Sequence, residues 1–282
     1  MLNKIIIEPI VRRALVEDIG NGDLTTTATI PENLSAKAIV HAKEDGVLAG
    51  MPLVKEVYRI VDESVRVEVL KSEGSTIEKG TTIAEITGKA KSILIGERVA
   101  LNFLQRMSGI ATKTRNMAEL IKYFDCHLTD TRKTTPGLRI LEKYSVHIGG
   151  GRNHRFDLSS SILIKDNHIE VSNGIQNAVA AARRAVGHTT KIEVEVKNIE
   201  EVKEALTTGA DIIMLDNMSI EDMKEAVELI GDKAIIEASG NITEKNIKDV
   251  ANTGVNFISS GSLTHSYCSL DISIDIAYDK KK

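Results

Sequence analysis

The segment KIEVEVKNIEEVKEALTTGADIIMLDN, residues 191–217, decides the fold. It contains a strand-like run at 191–197, a helix-like run at 199–207 and a second strand-like run at 211–216. The helix is predicted to begin after Asn198, which forms a capping box with Glu201, and to end at Gly209. The segment therefore predicts a β-α-β unit with two parallel strands.

The same unit recurs through the second half of the chain. Strand-like segments start at residues 191, 211, 234 and 255, and helices are predicted between them at 199–207, 219–230 and 243–252. Ser219, with Asp222 three residues later, opens one of these helices, and Thr243 is predicted to open another. Successive units of this length indicate either a (β/α) barrel or a doubly wound sheet.

The side-chain pattern within the strands separates these two architectures. Apolar Ile192, Val194 and Val196 alternate with Glu193 and Glu195, and Glu237 interrupts a later strand in the same way. The strands of a doubly wound sheet meet helices on both faces and are apolar throughout. Acidic side chains on one face fit the interior of a barrel, where they need a cation or a ligand as partner. We therefore predict a barrel.

The first half of the chain combines predicted helices with predicted strands. Pro9 is predicted to open an amphipathic helix that ends at Gly20, and strands are predicted at 36–42, 65–70 and 82–87. A long helix is predicted to begin near Ser92. This pattern indicates a small domain of helices and a sheet before the barrel.

The composition excludes several classes of protein. Of the 282 residues, 42% are hydrophobic and 27% charged, which excludes global disorder. Aromatic residues make up 3%, Trp is absent and the net charge is −4, which argues against binding to nucleic acid or to a membrane surface. The two cysteines do not form a disulfide framework or a zinc site, and no leader or membrane-spanning run is recognisable. We expect a cytoplasmic protein.

Polar side chains gather at the predicted carboxyl ends of the strands, where barrel active sites lie. These ends are Asp130–Lys133, Lys165–His168, Glu195, Asp216–Asn217, Ser239–Asn241 and Ser260–Ser262.

One window of the chain is strongly basic. Between Thr131 and Arg155 there are six basic residues and a single acid, Glu142. The basic residues are Arg132, Lys133, Arg139, Lys143, Arg152 and Arg155. Such a local excess of Arg suits planar oxyanions such as carboxylates and phosphates. For Arg139 and Lys143, four residues apart on a predicted helix, contact with acidic neighbours is an equally good interpretation.

The later strand ends have a different chemistry. Glu195 and Asp216 offer two carboxylates that suit Mg²⁺ and sugar hydroxyls. The loops Ser239-Gly240-Asn241 and Ser260-Gly261-Ser262 place backbone N–H groups where a phosphate can bind. The residues thus indicate two substrates, a polyanionic acid and a phosphorylated sugar with Mg²⁺.

Nine motifs together resemble the quinolinate phosphoribosyltransferase family. They are ALVEDIGNGDLTT (14–26), GERVALNFLQRMSGIAT (96–112), DTRKTTPGLR (130–139), GGGRNHR (149–155), LIKDNHI (163–169), EVEVKN (193–198), MLDN (214–217), EASGNI (237–242) and ISSGSLTHS (258–266). They stand in family order, and the resemblance extends from about residue 10 to residue 275.

The resemblance implies a fold and a reaction. The implied fold is α/β, an open α/β sandwich at 1–110 followed by an incomplete (β/α) barrel at 111–266, with 267–282 returning to the first domain. The implied reaction joins quinolinate to phosphoribosyl pyrophosphate and yields nicotinate mononucleotide, CO2 and pyrophosphate, with Mg²⁺ as cofactor, in NAD biosynthesis. The family also implies a homodimer.

The resemblance also implies roles for individual residues. The implied catalytic residues are Lys133, Lys165, Glu195 and Asp216. The implied quinolinate site is Arg98 from the partner subunit with Thr131, Arg132, Lys133, His154, Arg155 and Lys165. Phosphoribosyl pyrophosphate would contact Glu195, Asp216, Ser239, Gly240, Asn241, Ser260, Gly261 and Ser262, and Mg²⁺ would bind Glu195 and Asp216.

The chain departs from the family pattern at Phe156–Ser161, where a Gly-Leu pair and an Asp are usual. Two other functions remain open at this point. One is a different enzyme on the same scaffold, either a phosphoribosyltransferase for another anionic pyridine or a Schiff-base aldolase that uses Lys165. The other is a non-catalytic sensor, which would not need the metal-binding carboxylates Glu195 and Asp216.

Overall fold

The structure, a computed structural model, describes residues 2–277. Its helices are α1 (Lys4–Ile19), α2 (Leu24–Thr29), α3 (Met51–Val61), α4 (Ala90–Leu120), α5 (Arg139–Ile148), α6 (Asp166–Val171), α7 (Ile175–Ala185), α8 (Ile199–Leu206), α9 (Ile220–Ile230), α10 (Ile247–Ala251) and α11 (Ser262–His265). Its strands are β1 (Ser35–Ala42), β2 (Gly46–Val47), β3 (Arg66–Val69), β4 (Thr76–Ile77), β5 (Thr82–Lys89), β6 (His127–Thr129), β7 (Ile162–Ile164), β8 (Ile192–Val196), β9 (Ile212–Asp216), β10 (Ile235–Ser239), β11 (Phe257–Ser259) and β12 (Ile272–Ala277).

The chain forms two compact units. Unit 1 comprises the described chain up to Arg115, Thr135–Gly150 and the segment from Tyr267 onward, whereas unit 2 comprises Asn116–Thr134 and Gly151–Ser266. The structure thus differs from the sequence-based domain limits, which placed Thr135–Gly150 in the barrel domain. The reason is α5, because its Leu141 is fully buried in the aliphatic core of unit 1.

Unit 1 is built on an antiparallel sheet in the order β12-β1-β5-β3, beside a two-stranded sheet of β2 and β4. Alternate residues of β1, from Ala38 to Ala42, are fully buried against aliphatic side chains of α3 and α4. At the sheet edge, β12 pairs with β1, so that Val40 lies opposite Ile274. The last part of the described chain therefore completes the first sheet.

Helix α1 begins earlier than the sequence indicates. Asn3 caps it by accepting a hydrogen bond from the N–H of Ile5, and Pro9 lies inside the helix instead of opening it. A proline in the second turn removes one backbone hydrogen bond, but the buried face of Ile7, Val11 and Leu15 holds the helix against the core.

Unit 2 is the incomplete (β/α) barrel that the sequence predicts. Its six strands are all parallel, in the order β6-β11-β10-β9-β8-β7. A single bridge joins Thr129 of β6 to Arg152, and within the described residues β6 and β7 do not pair with each other. The barrel is therefore open between these two edges.

The strand pattern explains why this sheet curves into a barrel. Ile192, Val194 and Val196 of β8 are fully buried on one face, while Glu193 and Glu195 lie buried on the other.

The predicted helix start at Thr243 is wrong, because a turn closed by the Asn246 side chain precedes α10. In the part of the chain that the structure describes, no helix is both long and apolar enough to cross a membrane.

Candidate active site

Two guanidinium groups of unit 2 lie close to one another with buried nitrogen atoms. Arg132 follows β6, and Arg155 follows the segment that bridges to that strand. Burial lowers the pKa of Arg155, and the charge of Arg132 lowers it further. The Nε atoms of both residues are buried, and neither has a hydrogen-bond partner among the described residues. A buried donor without a partner is costly, so this pair suits an anion.

Asp130 holds the segment that carries His154 and Arg155. Its fully buried carboxylate accepts hydrogen bonds from Asn153 Nδ2 at 2.6 Å and from the backbone N–H of His154 at 2.9 Å. Asp130 lies at a predicted strand end but has no predicted role. Asp130 stands two residues before Arg132, and this nearness to the basic residues is the feature of the sequence that could have identified it as a site residue.

The loop at 156–161, where the sequence departs from the family pattern, supports Arg155. Asp157 closes a tight turn by accepting hydrogen bonds from the N–H and hydroxyl of Ser159, which holds the pKa of the Asp157 carboxyl below its usual value. Arg155 Nη1 then donates to the carbonyl oxygen of Ser161 at 3.1 Å. The loop thus fixes one side of the guanidinium.

The structure brings together two predicted catalytic residues, Lys165 and Glu195. Strands β7 and β8 are in register, and the Lys165 ammonium group forms an ion pair with the Glu195 carboxylate. Glu195 is buried, whereas the Lys165 side chain is 44% exposed. Nearby, Lys197 pairs with Asp166 at 2.8 Å, which raises the pKa of Lys197. Asp166 is one of the predicted strand-end residues but has no predicted role, and Lys197 is not among the predicted site residues.

Asp216 is connected to the predicted phosphate loop after β10. Asn217 adopts a left-handed backbone conformation with φ of 54° and donates from Nδ2 to Asp216 Oδ2 at 2.9 Å. Its Oδ1 accepts from Asn241 Nδ2 at 3.0 Å. Gly240 has a backbone φ of 103°, which favours glycine, and a Cβ atom there would lie 2.3 Å from the same Oδ1. Asn217 lies at a predicted strand end but is not among the predicted site residues.

The second predicted phosphate loop adjoins Lys133. The hydroxyl oxygens of Ser260 and Ser262 are 2.8 Å apart, and Thr264 donates to the carbonyl oxygen of Lys133. The side chain of Lys133 crosses Gly261 so closely that a Cβ there would lie 2.9 Å from Lys133 Cδ. Lys133 therefore lies beside the predicted phosphate loop as well as in the basic segment predicted to bind quinolinate.

The remaining residues of the basic window lie apart from the Arg132–Arg155 pair or have other contacts. Thr131 accepts a hydrogen bond from the N–H of Lys133 through its hydroxyl. The guanidinium of Arg152 lies over the ring of Phe257, while Arg139 and Lys143 belong to α5 of unit 1. The basic window is thus divided between the two units.

Arg98 is exposed on α4 of unit 1. Among the residues described, no ion pair joins it to Glu97 or to Glu119, although its charge lowers the pKa of Glu97 against the larger, opposite effect of burial.

Both parts of the chain match domains of a known enzyme family. Residues 23–108 match the family described as quinolinate phosphoribosyl transferase, N-terminal domain, and residues 110–275 match its C-terminal domain. A curated relative from Bacillus subtilis, named probable nicotinate-nucleotide pyrophosphorylase [carboxylating], is 44% identical over 275 residues, which cover 98% of this chain and 95% of the relative.

Solved structures agree with this match. NadC from Streptococcus pyogenes is 42% identical with a TM-score of 0.96, and the alignment covers 99% of each chain. The nicotinate-nucleotide pyrophosphorylase from Francisella tularensis is 38% identical with a TM-score of 0.95 and 98% coverage of each chain. The resemblance found in the motifs is confirmed: this chain belongs to the quinolinate phosphoribosyltransferase family.

Proposed function

We propose that this chain transfers the phosphoribosyl group of phosphoribosyl pyrophosphate to quinolinate with decarboxylation. The products are nicotinate mononucleotide, CO2 and pyrophosphate, and the step belongs to NAD biosynthesis. Membership of the family supports this reaction. The structural observation that carries it concerns the Nε atoms of Arg132 and Arg155, which are buried and have no hydrogen-bond partner within residues 2–277. Such a pair suits a substrate with two carboxylates.

The proposed quinolinate site consists of Thr131, Arg132, Lys133, His154, Arg155 and Lys165. Two guanidinium groups held close together repel one another, and a dianionic ligand relieves that repulsion. Arg155 is already fixed by its bond to Ser161, so little side-chain freedom is lost when the substrate binds. Lys165 has a defined partner in Glu195, which favours a role as a fixed charge over that of a Schiff-base nucleophile.

The proposed phosphoribosyl pyrophosphate site lies along the later strand ends. The loops Ser239-Gly240-Asn241 and Ser260-Gly261-Ser262 hold the 5′-phosphate through backbone N–H groups and hydroxyls. Glu195 and Asp216, at the carboxyl ends of neighbouring parallel strands, serve the ribose.

The donor chemistry of Glu195 and Asp216 fits Mg²⁺, because both offer hard carboxylate oxygens. These two residues would hold the cation, which when bound would neutralise charge on the pyrophosphate.

The chemistry follows from these assignments. The ring nitrogen of quinolinate attacks the anomeric carbon while pyrophosphate departs, and positive charge develops on the ribose. The carboxylate of Glu195 stabilises that charge, and Lys133, beside the phosphate loop, stabilises the departing oxyanion. The bond between the ring carbon beside the quaternised nitrogen and its carboxylate then breaks. CO2 leaves, the positive nitrogen stabilises the electron pair that remains on this carbon, and the carbon takes up a proton from water. This sequence of steps requires no covalent nucleophile.

We further propose that the enzyme is a homodimer in which Arg98 of each chain enters the quinolinate site of its partner. The exposure of Arg98 supports this role, because its guanidinium is accessible to another chain. We also propose a cytoplasmic location, since Cys126 and Cys268 are both free thiols.

The reaction is tested by measuring pyrophosphate and CO2 release from phosphoribosyl pyrophosphate and quinolinate, with nicotinate as the control substrate. We expect both products in equal amounts with quinolinate. Pyrophosphate release with nicotinate at a comparable kcat/KM would contradict the proposal.

A further inference from the structure

Two buried glutamates face His154 from inside the barrel and take no part in the proposed chemistry. Glu193 of β8 is 2% exposed and Glu237 of β10 is 4% exposed. His154 Nε2 lies 3.1 Å from Glu193 Oε2 and 3.6 Å from Glu237 Oε1. The three side chains therefore form one cluster, here called the barrel-interior cluster.

The other ring nitrogen of His154 is also engaged. The backbone N–H of Arg155 donates to His154 Nδ1 at 2.8 Å. Nδ1 must then carry a lone pair, so the neutral ring has its proton on Nε2, where it is directed at Glu193. A cationic ring would turn an N–H of Nδ1 against the N–H of Arg155. The imidazole is thus held at both nitrogens by the protein itself.

Burial and the neighbouring charges both act on Glu237 in this cluster. Burial raises the pKa of Glu237 to about 7, and the charges of Glu193 and Asp130 raise it while His154 lowers it. The charge of Glu193 also acts on Arg155, where it opposes the larger lowering of the Arg155 pKa by burial and by Arg132. Glu193 Oε1 and Glu237 Oε1 are both buried without a hydrogen-bond partner among the described residues. Two adjacent buried carboxylates are more stable when one is protonated.

We propose that Glu193 and Glu237 are positioning residues for quinolinate binding. Glu193 fixes His154 by accepting a hydrogen bond from Nε2, and Glu237, 3.6 Å from the same nitrogen, supports this arrangement. His154 in turn fixes the backbone N–H of Arg155, whose guanidinium binds a substrate carboxylate. The identity of the substrate rests on the proposed function, whereas the His154 tautomer does not.

The kinetic test compares variants that keep or remove the acceptor for His154. Glu193→Leu removes it, and we expect the KM for quinolinate to rise about tenfold or more while kcat changes much less. Glu193→Gln and Glu237→Gln each keep an oxygen near His154 Nε2 on a side chain of the same length, so both should stay close to the wild-type KM. Glu225→Gln, on the exposed face of α9, is the matched control. A folded Glu193→Leu enzyme with the wild-type KM would overturn the proposal.

The second test reads the His154 tautomer by NMR of the full-length enzyme with ¹⁵N-labelled histidine, assigned with His154→Gln. We expect the Nε2–H form in the wild type and a mixture of tautomers in Glu193→Leu. A cationic or Nδ1–H ring in the wild type at neutral pH would overturn the proposal even if Glu193→Leu does not fold. A wild-type enzyme that does not use quinolinate but shows the Nε2–H tautomer would contradict the proposed function alone and leave His154 positioning in place.

Discussion

The Lys165 ammonium group and the Glu195 carboxylate form an ion pair at the carboxyl ends of the neighbouring parallel strands β7 and β8. The Glu195 side chain is buried within the barrel, whereas the Lys165 side chain is partly exposed to solvent. The pair therefore joins the side of the site assigned to quinolinate with the side assigned to the ribose.

Replacing either carboxylate of the ribose side should affect turnover more than quinolinate binding. We expect Glu195→Ala and Asp216→Ala each to lower kcat about 100-fold or more, because both act on the developing positive charge. The Kd for quinolinate, titrated by calorimetry, should change much less. Loss of quinolinate binding with normal turnover at saturation would show that the assignment is wrong.

Selectivity for quinolinate over nicotinate should depend on the two close guanidinium groups. We expect the wild type to prefer quinolinate by at least about 100-fold in kcat/KM, because nicotinate lacks one carboxylate and leaves a buried guanidinium unpaired. Arg132→Gln and Arg155→Gln should each weaken quinolinate binding and reduce this preference. A preference that survives both substitutions would place the second carboxylate elsewhere.

Glycine should be required at position 240 and not at position 187. Gly240→Ala would bring a Cβ to 2.3 Å from Asn217 Oδ1 at a backbone φ of 103°, and we expect a marked rise in the KM for phosphoribosyl pyrophosphate. Gly187→Ala is the control, since a Cβ there meets no described atom within 4 Å. Equal KM values for the two variants would argue against a phosphate site at the loop after β10.

The proposed exchange of Arg98 between subunits predicts complementation. Arg98→Ala and Lys165→Ala should each be inactive as homodimers. After the two proteins are unfolded together and refolded as a mixture, random pairing should restore roughly a quarter of the sites, because each heterodimer has one intact site and one doubly altered site. No recovery, with heterodimers shown by mass spectrometry, would place Arg98 in its own chain's site or outside any site.

The raised pKa of Glu237 predicts a dependence of stability on pH. The folded protein binds this proton with a pKa of about 7, compared with 4.5 as the ordinary value. The resulting stabilisation is fully present below pH 4.5 and is lost as the pH rises through about 7. Glu237→Gln has no proton to lose. Between pH 5 and pH 8, urea unfolding should therefore show a steeper fall in stability for the wild type than for Glu237→Gln, by up to roughly 3 kcal/mol. Parallel curves of stability against pH for the two proteins would contradict the raised pKa of Glu237.

Local features of the sequence were sufficient to predict the barrel. The alternation of Val194 with Glu193 and Glu195 separates two faces of a strand, and the caps at Asn198 and Ser219 mark helix starts that the structure confirms. These patterns depend on neighbours within a few residues along the chain. The family and its reaction were recognisable from motifs for the same reason, because each motif is a short continuous segment.

The contacts that shape the site are between residues far apart in the sequence. Nothing near Asn217 along the chain indicates that its side chain meets Gly240, and nothing near His154 indicates Glu193 and Glu237 as its partners. Likewise, α5 lies between two barrel segments in sequence, yet it packs in unit 1 because Leu141 is buried there. The sequence determined which groups stand at strand ends. Only the tertiary structure decided which of them meet, because parallel strands bring together residues separated by a whole helix and its loops.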